Sequence, residues 1–293
     1  MKTDRLQNEK KIRYVRGNTR PLPPKRSAVG SREPGSAVEI SDAYVVEIQR
    51  SMRTNKLQMK AGLTETGDCA KCYNDLMRRV MDENKQWWIE KRCEKAAERL
   101  KSHEFDAIYV RTKEEAVREI LKYVTPATQV GVGGSVTIRQ LGILEPLRAQ
   151  GNTVLDHWIP GLSKEQSIEI RKSQMTSDLF LSSSNAITMH GELVNIDGVG
   201  NRVNAISFGP KKVIIVASYN KLVENVEEAI KRVRNVASPA NSKRLNMDVP
   251  CGKVGVCTDC HSPDRACRVI VILERRPMLS DILVILLGEE LGY

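Results

Sequence analysis

Apolar positions in the second part of the chain switch repeatedly between two periods. From 84 to 101 they recur at helical spacing, with Trp88, Cys93, Ala96, Ala97 and Leu100 able to share one face and Glu and Lys around it. Short apolar runs of strand length follow at 107–110, 128–132, 153–156, 179–184 and 212–217. Helical patterns at 113–124, 137–150 and 163–175 lie between them. The first of these places Ala116, Val117, Ile120 and Leu121 on one stripe, and Pro126 closes the unit. The third opens on Ser163 with Gln166 three residues on, the spacing of a capping box. The run at 212–217 is apolar almost throughout, as expected of a strand covered on both faces. A hairpin arm is predicted at 192–198, a strong helix over 222–236, and further strands over 269–273 and 282–287.

Strands alternating with helices predict βαβ units. The expected fold class is therefore α/β, a layered and mainly parallel sheet with flanking helices. The Glu192 region and the C-terminal pair of strands are expected to add antiparallel pieces. No internal repeat is present.

Residues 1–80 break this pattern. The segments 20–26 and 30–36 are rich in Pro, Gly, Ser and charge, and read as linker or disorder. Only 43–48 suggests a strand or a helical turn. The expected organisation is a poorly ordered basic extension over 1–80, or a non-native one upstream of a start at Met81. An α/β domain follows over 81–293, including a cysteine loop at 250–268.

Charge sharpens that division. The chain of 293 residues carries a net charge of +10. Residues 1–80 hold 17 Lys and Arg against 9 Asp and Glu, whereas 81–293 hold 29 against 27. The basic excess thus belongs to the extension, and the near-neutral domain argues against a nucleic-acid partner. No apolar run reaches the roughly 20 residues that a membrane helix needs. The charged N-terminus lacks the apolar core of a secretory signal. A cytoplasmic, reducing location is expected, and there seven cysteines point to metal or redox chemistry before disulfides.

Four of those cysteines, Cys251, Cys257, Cys260 and Cys267, fall within 17 residues at the spacing C-x5-C-x2-C-x6-C. Converging thiolates hold a metal, and a two-residue gap lets two sulfurs grip from one turn. Gly252, Gly255 and Pro263 allow a loop to wrap a centre. Zinc ribbons present two C-x2-C knuckles far apart. One knuckle with outlying cysteines in a compact loop favours an iron–sulfur cluster of the [4Fe–4S] type, with zinc as the alternative. His261 is a possible substitute ligand or an exposed side chain. A second C-x2-C, Cys69 and Cys72, lacks the βαβ setting of a thioredoxin motif. Cys93 reads as core.

Two further stretches carry chemistry. Gly131, Gly133 and Gly134, followed by Ser135 and Thr137, stand where a strand gives way to a helix. Glycines there let backbone N–H groups approach an anion, though the spacing is neither a dinucleotide fingerprint nor a P-loop. A tight turn is the simpler reading. The second stretch runs from Ser182 through Asn185, Glu192 and Asp197 to Asn201 and Arg202, and is unusually polar between core strands. It can build a small-molecule pocket at the carboxyl edge of the sheet, with Glu192 as nucleophile or base and Arg202 on a carboxylate or phosphate. A solvated hairpin is the alternative.

In their order, the glycine turn 131–135, the segments 184–188, 191–198 and 200–203, Phe208 to Val213, and Ser262 to Arg265 resemble the LUD (lactate-utilisation) domain. The likeness is strongest to its branch with a C-terminal four-cysteine motif, and it runs from about 81 to 293. The resemblance implies a fold of the group that contains ribose-phosphate isomerase, glucosamine-phosphate deaminase and CoA-transferase. It implies an anion site lined by Gly131, Gly133, Gly134 and Ser135, faced by Asn185, Glu192 and Asp197. It also implies links to iron–sulfur oxidation of lactate. Three readings follow. One is a redox-linked protein of organic-acid metabolism that binds a small carboxylate or phosphate-bearing substrate. The second is a non-redox transferase or isomerase with a structural zinc or cluster. The third is a non-catalytic subunit docked on a redox protein partner.

Overall fold

In the computed structural model the backbone is described from Gly67 onward and side chains from Asp82 onward. The segments singled out at 20–26, 30–36 and 43–48 lie outside the described residues. So do the side chains of Cys69 and Cys72, whose backbone belongs to helix α1 (Gly67–Ser102).

Six strands form a wholly parallel sheet: β1 (Asp106–Val110), β2 (Val130–Val132), β3 (Val154–Asp156), β4 (Leu179–Ser182), β7 (Lys212–Ser218) and β10 (Ile282–Leu287). Their spatial order is β1-β10-β7-β4-β2-β3. Side chains alternate between two cores. Val213, Ile215, Ile282, Val284 and Leu286 face α1, where Ile89, Cys93, Ala96, Ala97 and Leu100 are buried. On the other face, Ile214, Val216, Leu283, Ile285 and Leu287 meet α2 (Lys113–Leu121), α3 (Val136–Leu141) and α4 (Leu144–Ala149). This is the α/β layering that the sequence predicts. The expected face of α1 holds at Cys93, Ala96, Ala97 and Leu100, but Ile89 completes it in place of Trp88, which is 47% exposed.

A second sheet has the order β8-β5-β6-β9, built from β5 (Ala186–Thr188), β6 (Leu193–Asp197), β8 (Leu222–Val223) and β9 (Val269–Leu273). Strand β6 is antiparallel to both β5 and β9. Three expectations need correction. The C-terminal strands do not both add antiparallel pieces: β9 does, but β10 lies between β1 and β7 in the parallel sheet. All six residues of β10 are buried, the signature of a strand covered on both faces, while β9 is largely exposed. The helix predicted over 222–236 starts later. Leu222 and Val223 pair with β5, and Asn225 caps α7 (Val226–Arg232) by accepting from the Glu228 N–H at 3.0 Å. A wide π-turn at Val233–Ala237 carries α7 into α8 (Ser238–Arg244). The helix expected over 137–150 is likewise two, because Gly142 takes a left-handed conformation between α3 and α4 (φ 75°). The capping box on Ser163 and Gln166 opens α5 (Lys164–Gln174) as expected.

Candidate functional site

The parallel strands β2, β4 and β7 release the chain at one edge, and their exits meet there. Strand β2 leads into Gly133 to Ser135, β4 into Ser183 to Asn185, and β7 into a single 3-10 turn, Tyr219–Lys221. Asp197 and Gly198 arrive from the end of β6. Together they edge a polar pocket of about 120 Å³ that also touches Ser238 and Ala266. A wider lobe of about 320 Å³ opens beside it. The two share Gly134, Asp197, Gly198, Arg202, Asn241 and Ala266, so they form one cleft at the carboxyl edge of the sheet.

Of the three glycines of the 131–134 turn, only Gly134 lines the cleft. Gly131 and Gly133 serve packing. A Cβ at Gly133 would stand 2.8 Å from Ser182 Oγ, and one at Gly131 2.8 Å from Ser177 Oγ. Gly134 lies against the Trp158 ring, 3.0 Å from where its Cβ would be. Ser135 caps α3, accepting from the Ile138 N–H.

Arg202 lines the cleft, but its guanidinium is engaged inside the protein. Nη1 donates to Ser183 O and Asn195 Oδ1, and Nη2 to Asn185 Oδ1 and Ile196 O. Nε faces Asp197 Oδ1 at 3.6 Å. Asp197 Oδ2 also accepts from the N–H groups of Arg202 and Val203, capping α6 (Asn201–Ser207). Arg202, Asp197 and Asn185 thus form a brace that shapes the cleft floor: four of the five guanidinium donors end on protein acceptors, and Nε keeps only its ion pair with Asp197. Asn201 sits on the wider lobe. Glu192 does not join them. It lies at the turn between β5 and β6, outside the lining of the cleft, where its carboxylate accepts from Thr188 Oγ1.

The side chain that the sequence does not single out is Lys221. It is 4% exposed and lines the inner pocket. Its Nζ donates to Thr137 Oγ1 at 2.6 Å and Ser183 Oγ at 2.9 Å, and no carboxylate among the described residues pairs with it. Burial, with Arg232 and Arg202 nearby, pulls its pKa down to about 7. One signal was available: Lys221 stands three residues beyond an apolar parallel strand, at the edge where such sheets bind ligands. The wider lobe is basic, with Arg171, Arg244, Arg265 and Arg268 against Asp197 and Asp264. His157, on the same wall, is held neutral: burial and Arg171 push its pKa down to about 4.

The four cysteines of the loop share one small cavity. Cys251 stands in the short helix α9 (Pro250–Val254), Cys257 and Cys260 in the following turn, and Cys267 just before β9. All four are free thiols. Arg265 staples the loop, donating to Cys260 O, Cys267 O and Asp259 Oδ1. Arg234, Ser238 and Ser242 line the cavity from one face of the α7–α8 helix. Ser238 lies 3.1 Å from the Cys267 sulfur. Burial, then the neighbouring Cys251 and Cys257 thiols, push the Cys267 thiol up. His261 is outside the lining. Among the described residues no three His, Cys, Asp or Glu side chains form a group closed on a single metal ion. The four cysteines nevertheless line the same cavity, and Ser238 and Ala266 form a wall common to it and the polar pocket.

Residues 93–287 match the family model described as the LUD domain. The chain is similar to a solved DUF162 family protein from Deinococcus radiodurans. That likeness is at 19% identity, covers 68% of this chain and 98% of that one, and has a TM-score of 0.40. It is also similar to a D-ribose-5-phosphate isomerase solved in complex with phospho-erythronic acid. There the identity is 16%, with 39% of this chain and 54% of that one covered and a TM-score of 0.27. No curated protein matches it. Among the described residues no helix is long and apolar enough to cross a membrane.

Proposed function

The chain belongs to the LUD domain family, and from that premise we propose that it is a redox-linked protein of organic-acid metabolism of the lactate type. In this reading Cys251, Cys257, Cys260 and Cys267 hold an iron–sulfur cluster, and the adjoining cleft binds a small carboxylate. The observation that carries the reading is the shared wall: Ser238 and Ala266 border the cysteine cavity on one side and the polar pocket on the other. An electron-carrying centre there would stand next to a bound organic acid.

The donor chemistry supports a cluster over zinc. A single zinc draws four sulfurs to about 2.3 Å from one point. A [4Fe–4S] cluster is gripped by four cysteines, one on each iron, so its sulfurs stand further apart. One C-x2-C knuckle with outlying cysteines, all lining one cavity of the loop, suits the second arrangement better than the two separated knuckles of a zinc ribbon would. The cluster would supply one-electron transfer. Around it Arg234 and Arg265 bring positive charge to offset the thiolates, and Ser238 can donate to the Cys267 sulfur. Free thiols suit the reducing cytoplasm in which such a centre survives. The domain would work with a redox partner, since a cleft and a one-electron centre do not by themselves complete a two-electron oxidation.

The test is spectroscopic. Protein isolated without oxygen and reduced with dithionite is expected to give the electron paramagnetic resonance signal of a reduced cluster. Saturating lactate or pyruvate is expected to shift that signal through the shared wall. A signal that neither acid perturbs would separate the two sites and remove the link to organic acids.

A further inference from the structure

We infer that Lys221 is a carbonyl-capturing nucleophile, and that the inner pocket takes a small 2-oxo acid by forming an imine at Lys221 Nζ. The inference rests on reading the cleft as a carboxylate site, and is independent of the cysteines.

The placement of Lys221 is unusual for a lysine. Buried lysines are normally paired with a carboxylate. Lys221 is held by two hydroxyls instead, Thr137 and Ser183. A hydroxyl both donates and accepts, so this cradle holds a neutral amine as well as an ammonium. A carboxylate would have fixed the charged form. The surrounding charge favours the same state, because Arg202 and Arg232 both disfavour a proton on Nζ. Desolvation next to other cations is the arrangement that readies a lysine for imine chemistry. The same positive surroundings favour an anionic ligand, and the cavity of about 120 Å³ at the strand ends limits it to a small one. A carbonyl compound with an adjoining carboxylate meets both demands.

The chemistry balances without an oxidant. The Nζ lone pair adds to the carbonyl carbon, and the carbonyl oxygen takes up a proton to give the carbinolamine. Loss of that oxygen as water leaves the protonated imine. Thr137 and Ser183, both within hydrogen-bond distance of Nζ, are placed to pass the protons. The captured acid is activated at the carbon next to the imine.

The whole chain, incubated with pyruvate or glyoxylate and sodium cyanoborohydride near neutral pH, tests this by peptide mass mapping. One reduced adduct is expected, on Lys221. Its labelling should exceed that of a surface lysine by on the order of a thousandfold, because an ordinary lysine with a pKa of about 10.4 has little free amine at that pH. Labelling should rise with pH through about 7 and then level off. Excess lactate, which has the carboxylate but no carbonyl, should suppress it. Lys221→Arg should abolish it, and the mapping of the unaltered protein stands even if that variant folds poorly. Adducts spread over surface lysines, with Lys221 unlabelled, would overturn the inference. If equilibrium dialysis then still showed saturable pyruvate binding, the carboxylate reading of the cleft would survive without imine formation. No binding and no adduct would overturn both.

Discussion

At the scale of single residues, the cleft is defined by two buried cations with opposite duties. Arg202 spends its donors on Ser183, Asn185, Asn195, Ile196 and Asp197, and so ties the exit of β4 to the end of β6. Lys221, close by, pairs with no carboxylate among the described residues and lines the inner pocket. The difference is chemical. A guanidinium presents five donors in a fixed plane and keeps its charge, while an ammonium gives it up when desolvated. Arg202→Lys therefore keeps a formal charge but leaves buried acceptors unmatched. It is expected to lower the stability of the protein by about 2 kcal/mol, as when a buried hydrogen-bonded group loses its partner. Urea unfolding followed by circular dichroism measures this, and an unchanged midpoint would mean that the brace is not needed.

At the scale of elements, the site depends on how closely β2 and β4 approach. Gly133 leaves room for Ser182 and Phe180, whose atoms stand 2.8 Å and 3.1 Å from where a Cβ would lie. Gly133→Ala forces those buried groups apart and is expected to cost about 1–3 kcal/mol, as overpacking does. Thermal unfolding checks it: the melting temperature should fall, and a neutral result would show that the strands can shift freely. Much of this scaffold is legible in the sequence. The apolar runs give β1, β4, β7 and β10, and the Ser163 capping box gives the start of α5. The glycine turn is also legible as a place, but its physical reason is not. Three glycines suggest ligand contact, whereas two of them answer to side chains brought from β4 and the chain before it, which are distant in sequence. Likewise Glu192 and Asp197 are near neighbours on one hairpin, yet only Asp197 reaches the cleft. The turn between β5 and β6 carries Glu192 away from it. Lys221 is illegible for a related reason. Its surroundings come from Thr137, Ser183 and Arg232 on separate elements, and an apolar stretch that looks like the start of a helix instead pairs with β5.

At the scale of the whole molecule, a parallel sheet, a small antiparallel sheet and the α7–α8 helix converge on one region. The helix is shared: Ala229, Val233 and Ala237 pack on the small sheet, while Arg234, Ser238 and Ser242 face the cysteines. Its π-turn at Val233–Ala237 carries residues of both sets, Val233 and Ala237 toward the small sheet and Arg234 toward the cysteines; such turns are frequent at functional sites. Cysteine loop and cleft are therefore positioned by the same element. The proposed redox role depends most on what the four thiols hold. X-ray absorption at the iron edge of the anaerobically isolated protein, with iron and acid-labile sulfide measured on the same sample, addresses this directly. A cluster there should give sulfur-ligated iron with iron–iron scattering, and loss of both when Cys257 and Cys260 are replaced by Ser. Stoichiometric zinc without sulfide, or thiols that bind no metal, would contradict it.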